Sequence, residues 1–137
     1  GITLNQTDLE ECRKQGFTVA HMNQSFLEFE DGTFDLVWAR HVIEHSIFPY
    51  FTLSEFYRVL KPGGILYLEV PGAETTYKHE LNPNHYSILS QTMWLSLLDR
   101  CKFTTEESLK YFLKGAEGPD EYWAFYCSKS ITKLRHS

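Results

Sequence analysis

The sequence predicts a three-layer α/β domain, in which helices cover both faces of a mostly parallel sheet. Two short apolar segments, Phe34–Ala39 and Ile65–Val70, have the length and composition of buried strands. Between them, one face of a predicted helix carries the apolar side chains of Leu53, Phe56, Tyr57 and Leu60. A Lys-Pro-Gly-Gly segment at positions 61–64 then ends that helix. Strand, helix and strand in this order form a βαβ unit, so the two strands run parallel.

The N-terminal region repeats this alternation on a smaller scale. Ile2–Asn5 is predicted as a short strand, and Phe17–Met22 as the strand that follows it. Between them we expect a helix over Leu9–Gln15, with Thr7 and Asp8 as its capping residues. The N-terminal region is therefore a second βαβ unit.

The C-terminal half begins with a polar segment and ends with strands. Gly72–Ser90 is rich in Asn, Pro and Tyr and predicts a long loop, and loops of this length are usually functional or mobile. A helix is expected over Ser87–Arg100, followed by strands over Thr104–Leu113 and Glu121–Ser128. The first of these strands also has the residue pattern of a helical turn.

Composition limits the function classes. The 137 residues are 42% hydrophobic and predict one domain over residues 1–129, with a tail over residues 130–137. The net charge of -5 disfavours nucleic acid as a partner and favours a small-molecule substrate. No apolar run approaches the ~20 residues that span a bilayer, so we expect no membrane contact and a cytoplasmic location. The three cysteines have no metal-binding or disulfide spacing.

Three motifs, in this order, resemble the middle third of a class I S-adenosylmethionine-dependent methyltransferase. They are Glu30–Asp35 (EDGTFD), Val42–His45 (VIEH) and Glu55–Gly64 (EFYRVLKPGG). The resemblance implies a Rossmann-like fold, S-adenosylmethionine as the cofactor, and methyl transfer to a small-molecule acceptor. In an open parallel sheet the ligand lies beyond the carboxyl ends of the strands, so the loops there should form the site.

The resemblance assigns four residues to the adenosine end of the cofactor. Thr3 matches the acidic residue that binds the ribose hydroxyls in the family, and Gln6 lies nearby as a substitute. Asn23, followed by Gln24, stands where the family often has an Asp that faces the adenine amino group, and an amide oxygen can accept the same hydrogen bond. The alternatives are that Thr3 is an ordinary strand residue and that Asn23 forms a turn.

Five further residues are candidates at the reacting end. Ala39, Arg40 and His41 follow the fourth family strand, which lies along the methionine side of the cofactor. The sequence predicts His85 and Tyr86 as the catalytic pair, because an Asn-Pro-Asn turn just before them could direct both side chains into the cleft. The alternative for each is a solvated loop residue.

No Gly-x-Gly-x-Gly turn, which wraps the methionine end of the cofactor in the family, occurs in the chain. We therefore expect an N-terminally truncated fold that binds the cofactor weakly or not at all. A non-catalytic binding or scaffold module is the alternative function. Bare strand edges should be covered either by a second copy, forming a homodimer, or by direct pairing of Ile2–Asn5 with Phe34–Ala39.

A zinc hydrolase is a further alternative. His41, Glu44 and His45 match the His-x-x-Glu-His pattern of inverted zinc proteases, in which two histidines on one helical face hold the metal. The sequence context is a crossover after a buried strand. We therefore predict that His41 and His45 bind no zinc, and that the chain has no metal site.

Overall fold

The computed structural model describes residues 1–131 of the chain. Most of the predicted tail, residues 132–137, lies outside the described part. In chain order the strands and helices are β1 (Ile2–Thr3), α1 (Gln6–Lys14), β2 (Ala20–His21), β3 (Phe34–Arg40), α2 (Pro49–Val59), β4 (Leu60–Pro71), α3 (Gln91–Arg100), β5 (Thr104–Gly115) and β6 (Gly118–Ser128). Within residues 1–131, no helix is long and apolar enough to cross a membrane.

The N-terminal βαβ unit is confirmed, but its boundaries differ from the prediction. β1 and β2 are parallel and pair only over two residues each, Ile2 with Ala20 and Thr3 with His21. Asn5, rather than Thr7 or Asp8, caps α1, because its side chain accepts a hydrogen bond from the Asp8 backbone nitrogen at 3.1 Å. β1 ends at Thr3, so Leu4 and Asn5, which were predicted as part of the strand, connect it to α1.

The main sheet has the strand order β3-β4-β6-β5. β3 and β4 are adjacent and parallel, as the sequence predicts, whereas β6 runs antiparallel to both β4 and β5. The sheet is therefore mixed, and the strand predicted over Thr104–Leu113 is confirmed. The predicted direct pairing of Ile2–Asn5 with Phe34–Ala39 is wrong: among residues 1–131, β1 pairs only with β2, and a cavity separates it from β3.

The crossover from α2 into β4 is tighter than the motif predicts. Leu60, expected as the last residue on the helical face, already pairs with Phe34 at the start of β3. The register shifts before the next pair, and Gly63 adopts a φ of 81°, which an L side chain rarely accepts. At Gly64 an added Cβ would lie 2.8 Å from the Lys61 carbonyl oxygen, so the turn requires glycine there as well.

Arg58, at the end of α2, holds the segment that precedes β3. Its guanidinium donates to the carbonyl oxygens of Phe29 at 2.7 Å and Leu27 at 2.9 Å, and to the Glu55 carboxylate at 2.8 Å. A planar guanidinium with five donors can bind several acceptors at once. These contacts fix where β3 begins.

The start of α3 corrects another prediction. The helix begins at Gln91, not Ser87, because the Ser90 hydroxyl accepts a hydrogen bond from the Met93 backbone nitrogen at 3.1 Å. The Ser87 hydroxyl instead donates to the Ser46 carbonyl oxygen at 2.6 Å. The polar loop therefore continues to Ser90 and remains attached to the segment after β3.

The main sheet has two different faces, because successive side chains of a strand point in opposite directions. The covered face packs against α2 and α3 in one hydrophobic cluster and includes Ala39, Leu66, Leu68, Val70, Phe125 and Cys127. The open face carries Leu36, Trp38, Ile65, Tyr67 and Tyr126. On the open face Trp38 is 62% exposed and stacks on Tyr67, with ring centroids 4.1 Å apart.

Candidate functional site

A cavity of about 590 Å³ lies between β1 and β3 and extends past the carboxyl end of β3. This volume is within the range of small-molecule sites. The cavity is lined along β1 by Thr3, along β3 by Trp38 and Ala39, and beyond the strands by Gln24, Val42 and His45. It is mostly apolar, with a few polar groups at its end.

Gln24 provides the most distinctive polar group of this cavity. Its amide nitrogen donates to the Val42 carbonyl oxygen at 2.7 Å, which fixes the orientation of the side chain. Its amide oxygen Oε1 is buried and has no hydrogen-bond partner within residues 1–131. A buried acceptor without a donor is costly. A ligand that donates to Oε1 would remove this cost.

A network of ionisable side chains lies at the carboxyl ends of β3 and β4, with Glu69 at its centre. The Glu69 side chain is 3% exposed, forms an ion pair with Arg40 at 2.9 Å, and contacts Nε2 of His41. Tyr67 donates to the same carboxylate at 2.5 Å. Although burial alone would raise it, the pKa of Glu69 is lowered by the hydroxyl groups of Tyr111 and Tyr67 and by the nearby Arg40 cation. Glu69 is therefore a stable carboxylate.

His41 occupies a strained position beside this carboxylate. Its φ of 54° lies in the left-handed region, and its backbone nitrogen donates to the Glu69 carbonyl oxygen at 3.0 Å. Its ring stacks on Tyr122 at a centroid distance of 4.4 Å. Burial lowers the pKa of His41 against the opposing effect of Glu69, so the imidazole is mostly neutral at pH 7.

Hydrogen bonds hold the long loop, residues 72–90, against this end of the sheet. The Tyr77 hydroxyl donates to the Gly118 carbonyl oxygen at 2.7 Å, and the His79 ring binds the Asp120 carboxylate at 2.9 Å. Tyr122 donates to the same carboxylate at 3.0 Å. The loop therefore closes one side of the site and places its histidines beside the segment after β3.

Comparison with known proteins shows what the chain is similar to. Residues 1–68 match the family model described as a methyltransferase domain. A curated protein of Mycolicibacterium smegmatis, named a probable S-adenosylmethionine-dependent methyltransferase, is 32% identical over 97 residues. Over these residues the chain is similar to S-adenosylmethionine-dependent methyltransferases. S-adenosylmethionine is the cofactor that this relationship implies. The match covers 69% of this chain, and the chain spans 38% of the length of that curated relative.

Solved structures confirm the Rossmann-like methyltransferase fold. An S-adenosylmethionine-dependent methyltransferase of Thermotoga maritima superposes with a TM-score of 0.78 at 21% identity, over 95% of this chain and 72% of that one. A chain of the Haloferax volcanii complex that contains the Trm112 methyltransferase activator gives a TM-score of 0.79 at 16% identity, over 95% and 71% of the two chains. At these identities the likeness shows the fold alone.

Three of the residues that the methyltransferase resemblance assigns to the cofactor line the cavity: Thr3, Gln24 and Ala39. Gln6 and Asn23 lie elsewhere. The Gln6 side chain donates to Glu10 on the surface of α1 at 3.1 Å. The Asn23 carboxamide oxygen accepts from the Ser25 backbone nitrogen at 2.8 Å, so Asn23 forms a turn, which is the alternative that the sequence left open. Arg40 and His41 are held in the Glu69 network.

The side chains of His85 and Tyr86, the predicted catalytic pair, lie in different environments. His85 lies beside His45, with ring centroids 4.8 Å apart. Tyr86 is 62% exposed, although its backbone nitrogen donates to the Glu44 carbonyl oxygen at 2.8 Å. The structure therefore brings the His85 side chain, and not the Tyr86 side chain, to the site.

The segment from His41 to His45 does not have the geometry of a zinc protease helix. Residues Ile43–His45 form a single 3-10 turn, and His41 has left-handed backbone geometry before it. The His-x-x-Glu-His pattern needs an α-helix to bring its two histidines, four residues apart, together on one face. His41 instead faces Glu69 and Tyr122.

Sequence reasoning missed the residues that organise this site, above all Glu69 and Asp120. Glu69 is a charged residue inside a strand that was assigned as buried, and an acidic group there should have indicated a local partner. Asp120 offered no comparable signal, because it follows Gly118-Pro119 in what reads as a surface turn.

Proposed function

We propose that the chain binds S-adenosylmethionine in the cavity and serves methyl transfer to a small-molecule acceptor. The observation that carries the proposal is the free, buried amide oxygen of Gln24 in a cavity lined by residues that match the family's cofactor positions. Gln24 would accept a hydrogen bond from the adenine amino group. Thr3 would donate its hydroxyl hydrogen to the ribose, since its oxygen already accepts from the Asn5 backbone nitrogen at 3.1 Å.

S-adenosylmethionine, when bound, supplies a methyl group already activated on a sulfonium. The chain's own task is then to hold the acceptor in line with that group and to exclude water. The apolar walls of the cavity at Trp38, Ala39 and Val42 support the exclusion of water.

An acceptor that carries a proton also needs a general base. We propose His41 for this role. Its Nε2 contacts the Glu69 carboxylate, and the stacked ring of Tyr122 holds the plane of the imidazole. The catalytic role of His85 and Tyr86 stays a prediction, as does a second copy of the chain that covers the edge of β3, which pairs only with β4 among residues 1–131.

The proposal is tested by titrating the isotopically labelled chain with S-adenosylhomocysteine, the demethylated cofactor, up to millimolar concentration and recording amide chemical shifts. We expect saturable shifts around Gln24 and Ala39. We also expect a dissociation constant weaker than micromolar, because these 137 residues contain no Gly-rich turn to bind the methionine end. A folded chain that shows no shifts would refute the proposal, and tight binding would refute the expected weakness.

Gln24→Leu provides the residue-level test, with Gln6→Leu as the matched control. Removing the Gln24 oxygen should weaken binding about two- to tenfold, which corresponds to one net hydrogen bond. Gln6→Leu should leave binding unchanged, because Gln6 faces Glu10 on α1. Equal effects of the two substitutions would remove Gln24 from the proposed contact.

A further inference from the structure

Glu44, His45 and His85 bring three metal-ligating groups together beyond the end of β3. One ligand atom from each residue lies within 4.8 Å of the other two. The backbone holds this arrangement, because the backbone nitrogens of Tyr86 and Ser87 both donate to the Glu44 carbonyl oxygen, at 2.8 and 3.0 Å. His85 is thus fixed beside a segment 40 positions earlier in the chain.

Within residues 1–131, the imidazoles of His45 and His85 form hydrogen bonds through Nδ1 and none through Nε2. Nδ1 of His45 is 2.8 Å from the Asn84 carbonyl oxygen, and Nδ1 of His85 is 2.8 Å from the His79 carbonyl oxygen. A carbonyl oxygen only accepts, so Nδ1 carries the hydrogen in both rings and Nε2 has an available lone pair. Metal-ligating histidines usually have this arrangement, with the second nitrogen donating to a backbone carbonyl or carboxylate.

Glu44 supplies an independent observation that points to a ligand. The residue is 2% exposed, and its Oε2 is buried without a hydrogen-bond partner in the described part of the chain. Burial raises the pKa of this carboxyl group. An unpaired carboxylate in such a place is costly, and a bound cation would remove that cost.

We propose that Glu44, His45 and His85 bind a divalent transition-metal ion of the zinc class. Two imidazole nitrogens and one carboxylate oxygen are a donor set that suits zinc, and three protein ligands leave a coordination position open. Metal–ligand bonds of about 2.0–2.2 Å would require small side-chain rotations that bring the three ligand atoms closer together. The exposed side of His45 permits such a rotation.

This site differs from the zinc protease pattern in the sequence. The structure replaces His41 by His85, a residue that no local motif connects to Glu44 and His45. His41 remains engaged by Glu69 and Tyr122. The inference revises the sequence prediction that His45 binds no metal, and it holds whether or not the chain binds S-adenosylmethionine.

The test is calorimetric titration of the full, chelator-treated chain with Zn²⁺. We expect one equivalent to bind, and at least tenfold weaker binding in each of Glu44→Gln and His85→Gln. His21→Ala is the matched control, because His21 is exposed and bonds only the Leu4 carbonyl oxygen in the described structure. His41→Ala distinguishes the proposed site from the His-x-x-Glu-His arrangement, and this variant should bind Zn²⁺ as the unmodified chain does.

Circular dichroism of each variant shows whether it is folded. If Glu44→Gln does not fold, the Zn²⁺ affinity of His85→Gln alone tests the proposed site. Co²⁺ in place of Zn²⁺ should give a spectrum of nitrogen and oxygen ligands without a thiolate charge-transfer band. Three outcomes would each overturn the proposal. They are a folded chain that binds no stoichiometric Zn²⁺, undiminished Zn²⁺ binding in His85→Gln, and a thiolate band from one of the three cysteines. Loss of binding in His41→Ala with retention in His85→Gln would overturn it in favour of the His-x-x-Glu-His arrangement.

Discussion

The covered and open faces of the main sheet are made by the same strands, yet they differ in almost every physical respect. The covered face is completely buried at Leu66, Leu68, Val70, Phe125 and Cys127, each 0% exposed. The open face has exposed fractions of 52% at Leu36, 62% at Trp38 and 38% at both Ile65 and Tyr126. Leu66 and Cys127 thus differ sharply in exposure from their strand neighbours Ile65 and Tyr126, whereas Tyr67 and Glu69 on the open side of β4 are buried at 7% and 2% exposure.

This difference teaches that the residues that stabilise the fold and the residues that form the site lie on opposite faces of the sheet, because side chains alternate along each strand. Apolar burial, the main stabilising term, is concentrated between the sheet and its helices. Glu69 lies on the other side of β4, flanked in sequence by Leu68 and Val70 of the covered face. The buried strand therefore holds the Glu69 network in place without contributing its own apolar residues to it.

The largest effect should come from the covered face. Leu68→Ala should lower the free energy of unfolding by about 2–5 kcal/mol, because it removes a fully buried side chain and leaves a cavity. Urea denaturation followed by circular dichroism measures this. Leu68→Met, which nearly conserves volume, should cost less than about 1.5 kcal/mol. A loss below 1 kcal/mol in the alanine variant would show that the two faces do not differ as described.

A smaller, pH-dependent effect should come from Glu69. Its pKa is lowered in the folded chain, so its stabilisation is present above the ordinary value of 4.5 and is lost as the pH falls through the lowered value. Glu69→Gln should destabilise the chain by about 1–3 kcal/mol at pH 7, the worth of hydrogen bonds to a charged group. The difference from the unmodified chain should shrink below about pH 4.5.

Urea denaturation at neutral and acidic pH measures this prediction, with Glu107→Gln as the control. Glu107 is an exposed acidic residue of the neighbouring strand β5 and lies opposite Tyr126. Its substitution should change stability by no more than about 0.5 kcal/mol at either pH. If Glu69→Gln produced the same loss at both pH values, charge would not be the source of its stabilisation.

The smallest effect should come from Trp38 on the open face, although its side chain is larger than that of Leu68. Its stack on Tyr67, at 4.1 Å between centroids, is the contact that Trp38→Ala would remove. We expect Trp38→Ala to lower the free energy of unfolding, measured by urea denaturation, by about 0.5–1.5 kcal/mol. Trp38→Phe keeps an aromatic stack and should recover most of it. A loss above 3 kcal/mol would mean that the open face is packed as firmly as the covered one.

Local features of the fold could be predicted from the sequence because they depend on neighbours in the chain. The apolar runs and the helical spacing between them predicted the parallel pairing of β3 and β4. Helix starts were less predictable. Asn5, Thr7 and Asp8 are all good capping residues, and only the backbone path selects Asn5.

The candidate site was only partly predictable, because some of its residues follow the local strand pattern and others depend on the backbone path. Thr3, Gln24 and Ala39 line the cavity because each lies at or just beyond a strand of the alternating pattern. Asn23 and Gln24 are chemically equivalent amides at adjacent positions. Which of them faces the cavity depends on a turn, in which the Asn23 oxygen is used by Ser25.

The sequence by itself determined the α/β class, the βαβ units and the family resemblance, since periodicity, turn residues and motif order are properties of short segments. Tertiary structure alone decided that His85 lies beside Glu44 and His45, and that Arg40 of β3 pairs with the Glu69 carboxylate of β4. These groups are brought together by the path of a long loop and by the register of paired strands. Contacts across such separations depend on the packing of the whole domain, which no local pattern of residues encodes.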